Sequence, residues 1–323
     1  MRILIAGAGG FIGGHLVKNL LDEGHQLICA DLKPFEYWFH FSDKAKNFSL
    51  DLKEYENCLK VTEGVDFIYN MACNMGGMGF IENNKAECML SVLVNTNLLR
   101  ASLANQCKKY FFSSSACVYN ASKQNKTFIA GLKETDAYPA DPEDGYGWEK
   151  LFSERIYLAA ARNKNMQVRI ARYHNIFGER GSWNNGKEKA PAALCRKVAM
   201  SDINGVIDVW GDGMQTRSFL HVDECVEATL RLMRSDFSFP LNIGSDEMIT
   251  INGLVKMIDS IAKKNIQINH IPGPLGVKGR NSDNSLYEQK IGWRVSEPLI
   301  NGIERTYKWI NEQVNQSKDD SNN

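Results

Sequence analysis

Tyr146 and Lys150 stand four residues apart in "YGWEK", so a helix starting near Gly145 projects both from one face. A phenol titrates at about 10 and is a poor base at neutral pH, but a neighbouring ammonium and the cationic ring of a hydride acceptor both favour the phenolate. Such a pair can take a hydroxyl proton while hydride leaves the same carbon. Upstream, "SSSACVY" at 113–119 closes the apolar run "KYFF" with three hydroxyls and a thiol. On an extended strand Ser115 and Cys117 share a face, the serine placed to hold an oxygen. A thiol, titrating at about 8.5, is placed for proton exchange. Each feature has a plain alternative: Y-x-x-x-K is commonly a surface pair, and a lone cysteine is usually a small buried hydrophobe.

Hydride needs an acceptor, and the first turn of the chain is built for one. "GAGGFIG" sets Gly7, Gly10 and Gly13 in a G-x-x-G-x-x-G pattern around Phe11 and Ile12, where strand passes into helix. Glycine admits a pyrophosphate close to the backbone, and the helix N-terminus offers it free N–H groups. Asp31 closes the second strand, "QLICAD", where a carboxylate accepts ribose hydroxyls and repels a 2′-phosphate. That favours NAD over NADP, although Lys33 nearby works against the preference. Asp51, ending a third short strand, is expected either at the adenine or in a simple turn.

The elements that must carry these residues follow from periodicity. Short β-rich runs alternate with helical patterns: "RILIAG", a helix over 11–23, "QLICAD", "VDFIYNMA", a helix through "LSVLVNTNLLRASLANQ", then "KYFFSSSA". That order predicts an α/β fold, a Rossmann-type doubly wound parallel sheet, over residues 1–173, with the chain returning to it around 218–245. A polar stretch from Asn120 to Pro142 interrupts the pattern before a helix over 145–162 and the strand in "QVRIARYHNIFG". Beyond Gly178 the regularity fails. Residues 174–217 and 246–315 are expected to form a smaller C-terminal α/β substrate-binding lobe, and 316–323 a disordered tail.

Composition narrows the class. The 38 Lys and Arg balance 38 Asp and Glu, so no global field favours nucleic acid or a membrane surface, and a small anionic ligand fits better. Eight cysteines at 29, 58, 73, 88, 107, 117, 195 and 225 form no C-x-x-C pair and no metal-like grouping with the six histidines. Reduced thiols, no bound metal and a cytoplasmic location are expected.

With these motifs in order, the chain resembles the nucleotide-sugar epimerase group of the extended short-chain dehydrogenase/reductase family over essentially its whole length. "WGDGMQTRSFLHVDECVEA", "LNIGSDEMITIN" and "DNSLYEQKIGW" fall in the order such enzymes show. Within that group, "NMGGMGFI", "SSSACVY", "DGYGWEK", "EKAPAALCRK" and "GVKGRNSDN" resemble the branch that inverts C3 and C5 of GDP-mannose. The resemblance implies NAD as a non-consumed cofactor, GDP-L-galactose as product with GDP-L-gulose as a second product, and a homodimer formed by helices flanking the sheet.

Such a reaction needs a transient ketone at C4, which makes the hydrogens on C3 and C5 exchangeable by a base on one face and an acid on the other. The resemblance assigns these roles to Cys117 and Lys189, with Tyr146, Lys150 and Ser115 serving C4. Lys189 follows a flexible Asn/Gly loop at a helix start, a placement unfavourable to the helix dipole. For substrate contacts the resemblance points to Gly76 and Gly77 in the glycine loop, Asn175, Glu188, Ala190, Gln215, and Arg217 and Arg280 on the diphosphate, with Lys197 as a further cation. Asn120 departs from the pattern, standing where a proline is commoner. Three rivals differ in named features. A GDP-fucose synthase-like enzyme would pair the cysteine with histidine and use NADPH. A 4,6-dehydratase would want Asp-Glu after the serine strand. A non-catalytic NAD-binding regulator would need none of Ser115, Tyr146 and Lys150.

Overall fold

Strands as uniformly apolar as RILIA need cover on both faces, which a parallel sheet wrapped by helices supplies. The computed structural model describes residues 1–164 and 166–321. In it, β1 (Arg2–Ala6), β2 (Gln26–Asp31), β3 (Lys46–Ser49), β4 (Phe67–Asn70), β5 (Lys109–Ser115), β6 (Gln167–Tyr173) and a seventh strand, Pro240–Ile243, form one sheet. Its order is β3-β2-β1-β4-β5-β6 with the seventh strand beside β6, and every pairing is parallel. Helices Phe11–Asp22 and Val222–Arg234 pack on one face through Leu16, Val17, Leu20, Cys225 and Val226. Helices Tyr55–Thr62, Ser91–Ala104 and Gly145–Lys164 cover the other through Cys58, Val61, Leu98 and Tyr157. The winding reverses between β1 and β4, which opens a crevice at the carboxyl ends of the strands, where ligands of such sheets bind.

A second core forms outside the sheet. Helices Ala190–Met200, Ile251–Ala262 and Leu299–Ser321 enclose Leu194, Val198, Leu254, Ile258, Ile303 and Ile310 beside the parallel pair Val206–Trp210 and Gln267–Ile271. The division at 246–315 differs from the packing at one element. Helix Ser285–Ile291 joins the main sheet instead, because Tyr287 is buried in its core and donates to the Ala228 carbonyl at 2.7 Å. The last helix also runs on to Ser321, where disorder was expected from 316, since extending a formed helix costs far less than starting one. Residues 322–323 lie outside the described residues.

The polar stretch 120–142 is held together by side-chain caps. Asn120 accepts from the Ser122 amide at 2.8 Å and donates to the Pro139 carbonyl at 2.8 Å, so it pins both ends of the excursion. Among the described residues no helix is long and apolar enough to cross a membrane, and no group of His, Cys, Asp and Glu is arranged to hold a metal ion.

Candidate active site

The cofactor turn has the shape its glycines predict. Gly7 adopts φ +85°, and a Cβ at Gly13 would lie 2.1 Å from the Gly7 carbonyl, so both positions exclude a side chain. Gly10 stands at the N-cap of helix Phe11–Asp22 without a side-chain cap, which leaves the first-turn N–H groups free for an anion. Ile12 packs on the core and Phe11 lies against Gly181 of the facing turn. Asp31 ends β2 half-buried and accepts from the Lys33 amide at 2.9 Å. A glycine cradle, a bare helix end and a carboxylate fit the pyrophosphate and adenine ribose of NAD. Asp51, by contrast, accepts from the Lys53 amide at 2.8 Å in a local turn, as its short spacing allows.

Helix Gly145–Lys164 is locked onto the sheet by residues spaced along one face. Lys150 is buried and donates to the Ser113 carbonyl at 2.9 Å. One turn on, Glu154 accepts from Ser114 at 2.5 Å and from the Arg172 guanidinium at 2.9 and 2.7 Å. Tyr157 then bonds Asn70 and Tyr110 at 3.2 and 3.1 Å. These anchors fix Tyr146 at the end of β5, beside Ser115. The Tyr146 phenol is pushed well above its ordinary range, by burial first, then by the acidic groups Cys73, Cys117 and Glu149, with its hydrogen bond to Ser115 pulling the other way. Burial thus works against the phenolate that Lys150 and a cationic ring together would favour. The ammonium sits 5.7 Å from the phenol ring centroid and is bonded to a carbonyl, and burial outweighs it.

Cys117 reaches the site by a route different from the one expected. β5 ends at Ser115, whose hydroxyl accepts from the Cys117 amide at 3.2 Å and turns residues 116–118 into a 3-10 helix. The alternation rule thus fails at Cys117, yet its half-buried thiol still packs beside Tyr146, with Cys73. A Cβ at Gly147 would lie 2.2 Å from the Cys117 carbonyl oxygen, so the glycine inside "YGWEK" is what lets the two reactive turns abut.

Lys189 is the N-cap of helix Ala190–Met200 and is half-buried. Burial pushes its ammonium below the usual lysine range, with Arg280 acting in the same direction and Cys117 and Cys73 opposing. Thiol and amine therefore share one electrostatic environment. Gly76 and Gly77 support this lysine: a Cβ on Gly77 would meet the Glu188 carbonyl at 2.4 Å, and one on Gly76 the Lys187 Cα at 3.1 Å. Their close approach is to the backbone that leads to Lys189. Glu188 binds Arg196 at 2.9 Å through one oxygen, while its other oxygen is buried without a partner, as a ligand hydroxyl would require.

Arg217 and Arg280 are brought together by the ladder between strands Thr216–Ser218 and Gly279–Arg280, which pairs them in register. Two facing guanidiniums make an anion site. Burial and Arg280 push Arg217 down to about 10, while Glu143 and Cys117 oppose. Arg280 donates to Gln124 at 2.6 Å, lies 3.6 Å from the Glu143 carboxylate and 3.5 Å from the Cys117 sulfur, and keeps one buried nitrogen unbonded. Gln124, in the polar stretch, and Glu143, just beyond it, were missed by sequence reasoning, because no motif marks either as a partner of Arg280.

The remaining contacts divide. Gln215 donates to the Trp210 carbonyl at 3.3 Å and keeps a buried, unpartnered oxygen close in sequence to Arg217. Asn175, at φ +45°, braces the site by donating to the Ser218 carbonyl at 2.9 Å. The Lys197 ammonium donates to the Asp208 carbonyl at 2.6 Å, and its electrostatic neighbours are Asp208, Arg196 and Glu188.

Comparison with known proteins agrees with this geometry. A family profile described as NAD dependent epimerase/dehydratase family matches residues 3–244. The GDP-mannose 3,5-epimerase of Arabidopsis thaliana is 46% identical over 319 residues, covering 98% of this chain and 84% of the relative. Among solved structures, the UDP-glucose 4-epimerase with UDP-glucose from Thermotoga maritima superposes with a TM-score of 0.88 at 21% identity, over 97% of this chain and 100% of that one. A UDP-glucose 4-epimerase complex with NAD from Thermus thermophilus gives 0.82 at 20% identity, over 96% and 99%. These two likenesses show the shared fold.

Proposed function

The chain belongs to the NAD dependent epimerase/dehydratase family, and from that membership we propose that it converts GDP-mannose to GDP-L-galactose by inverting C3 and C5, with GDP-L-gulose as a second product. What supports the reading is the packing of Cys117 beside Tyr146, the electrostatic interaction of Lys189 with Cys117, and the register that pairs Arg217 with Arg280. When bound, NAD supplies the acceptor and donor of hydride at C4. Ser115 holds the C4 oxygen and Tyr146 moves its proton. Lys150, held by Ser113 under the tyrosine, favours the phenolate once a cationic ring lies beside it. Cys117 and Lys189 exchange protons at the carbons flanking the ketone from opposite faces. Burial depresses the ammonium of Lys189, which eases loss of its proton. Arg217 and Arg280 hold the diphosphate, and the unpartnered oxygen of Glu188 accepts a sugar hydroxyl.

The test is product analysis after incubation with GDP-mannose and no added reductant. GDP-L-galactose formed without net change in NADH supports the reading, and unchanged GDP-mannose overturns it. The finer associations follow the same line. Leu93, Trp148 and Phe152 are exposed apolar residues on helices flanking the sheet, with Phe152 55% exposed, which supports a homodimer. Eight free thiols support a reducing compartment, the cytoplasm.

A further inference from the structure

The segment between β2 and β3, Lys33 to Phe41, is crowded with aromatic residues that the chemistry above does not use. Phe35, Tyr37 and Phe41 are exposed at its surface, yet Trp38 in their midst is only 7% exposed. Its indole covers Gly9, within the cofactor turn, so closely that a Cβ there would lie 2.5 Å from the ring. The indole N–H donates to the Lys33 carbonyl at 2.9 Å, and the Lys33 ammonium in turn donates to the Gly9 carbonyl at 3.0 Å while lying 5.4 Å from the Phe39 ring. Arg180 donates to the Phe39 carbonyl at 3.1 Å and ties the far end of the segment to the turn facing the cofactor helix. Phe35 meets Trp38 edge-on at 5.3 Å and stiffens it from outside.

The two anchor points of a bound dinucleotide's adenosine half are the carboxylate of Asp31 and the turn Gly7–Gly13. The segment leaves the sheet directly after the first and lands on the second. We propose that Trp38 and Lys33 form a latch over the cofactor turn, and that opening of this latch sets the rate at which NAD is released. The inference rests on NAD being the cofactor, and it gives Lys33 a role other than a phosphate contact. Its ammonium is held by Gly9 and reaches a 2′-phosphate only by letting go of the turn.

The test uses purified holoenzyme and follows exchange of bound NAD for the fluorescent etheno derivative. Trp38→Ala is expected to release NAD about tenfold faster, the equivalent of about 1.4 kcal/mol, while Trp38→Phe restores release to near the wild-type rate. Lys33→Met, which keeps the apolar stem and removes the bond to Gly9, is expected to speed release several-fold and serves if the alanine variant does not fold. Wild-type release rates in Trp38→Ala, or in Lys33→Met where that variant stands in, overturn the latch, as does a phenylalanine variant as fast as the alanine one. A wild-type protein that carries and binds no NAD overturns the cofactor reading itself, and is told apart because no exchange signal arises at all.

Discussion

Gly147→Ala perturbs the junction on which both halves of the chemistry depend. An ideal Cβ at this position lies 2.2 Å from the Cys117 carbonyl oxygen and 2.9 Å from its carbon, where real Cβ contacts essentially never fall below 3.0 Å. The obstructing atoms are backbone and cannot rotate aside. Either the start of the Tyr146 helix or the Cys117 turn must therefore retreat by about 0.8 Å, the shortfall of 2.2 Å against 3.0 Å. One carries the C4 proton acceptor and the other the thiol, so whichever yields, the two lose register. A misplacement of about 1 Å costs on the order of 100-fold in rate. Stability moves little: alanine gains about 1 kcal/mol of helix propensity over glycine, against about 1–3 kcal/mol of overpacking. The expected signature is a turnover lower by about two orders of magnitude with a net destabilisation of about 0–2 kcal/mol and an unchanged NAD content, since the cofactor turn is untouched. Turnover on GDP-mannose, chemical unfolding and absorbance of the released dinucleotide give the three readouts. A variant that turns over within about threefold of wild type would refute the reasoning, because the abutment would then have no bearing on catalysis.

Cys117→Ala and Lys189→Ala should each abolish 3,5-inversion while hydride transfer at C4 survives, seen as transient NADH absorbance on adding GDP-mannose. Normal epimerisation by either variant would contradict the two-face assignment. Glu154→Gln leaves Arg172 uncompensated in the interior, where both side chains are at most 2% exposed, and should cost about 3–5 kcal/mol in denaturant unfolding. His174, whose imidazole burial pushes down to about 3, binds its proton more readily in the unfolded chain. Stability then falls as pH drops below about 6.5, and between pH 7 and 5 the wild type should lose about 2 kcal/mol more than His174→Gln. Parallel pH dependence of the two proteins would contradict this.

What the sequence disclosed is what local rules encode. Glycines at 7, 10 and 13 serve a turn and a helix start within a few residues of each other, and Tyr146 and Lys150 are joined by one helical turn. Apolar β-rich runs at regular spacing gave the parallel sheet. What stayed hidden depends on chain segments that meet only in the fold. Gln124 and Arg280 are 156 residues apart, and no periodicity marks their bond. Gly76 and Gly77 carry no sign that their partner is the backbone at 187–189. Cys117 shows the limit of a pattern rule within a single motif: alternation holds to Ser115, whose own hydroxyl then ends the strand by capping the next turn. The Tyr146 phenol shows another, because burial, which no local motif reports, works against its phenolate.

Incubation of the holoenzyme with GDP-mannose in D₂O, without added reductant, tests the central claim most directly. Proton exchange by Cys117 and Lys189 at a 4-keto sugar predicts solvent deuterium at both C3 and C5 of the recovered nucleotide sugars, none at C4, and no accumulation of NADH. Absence of deuterium, or its appearance at only one of the two carbons, would contradict it.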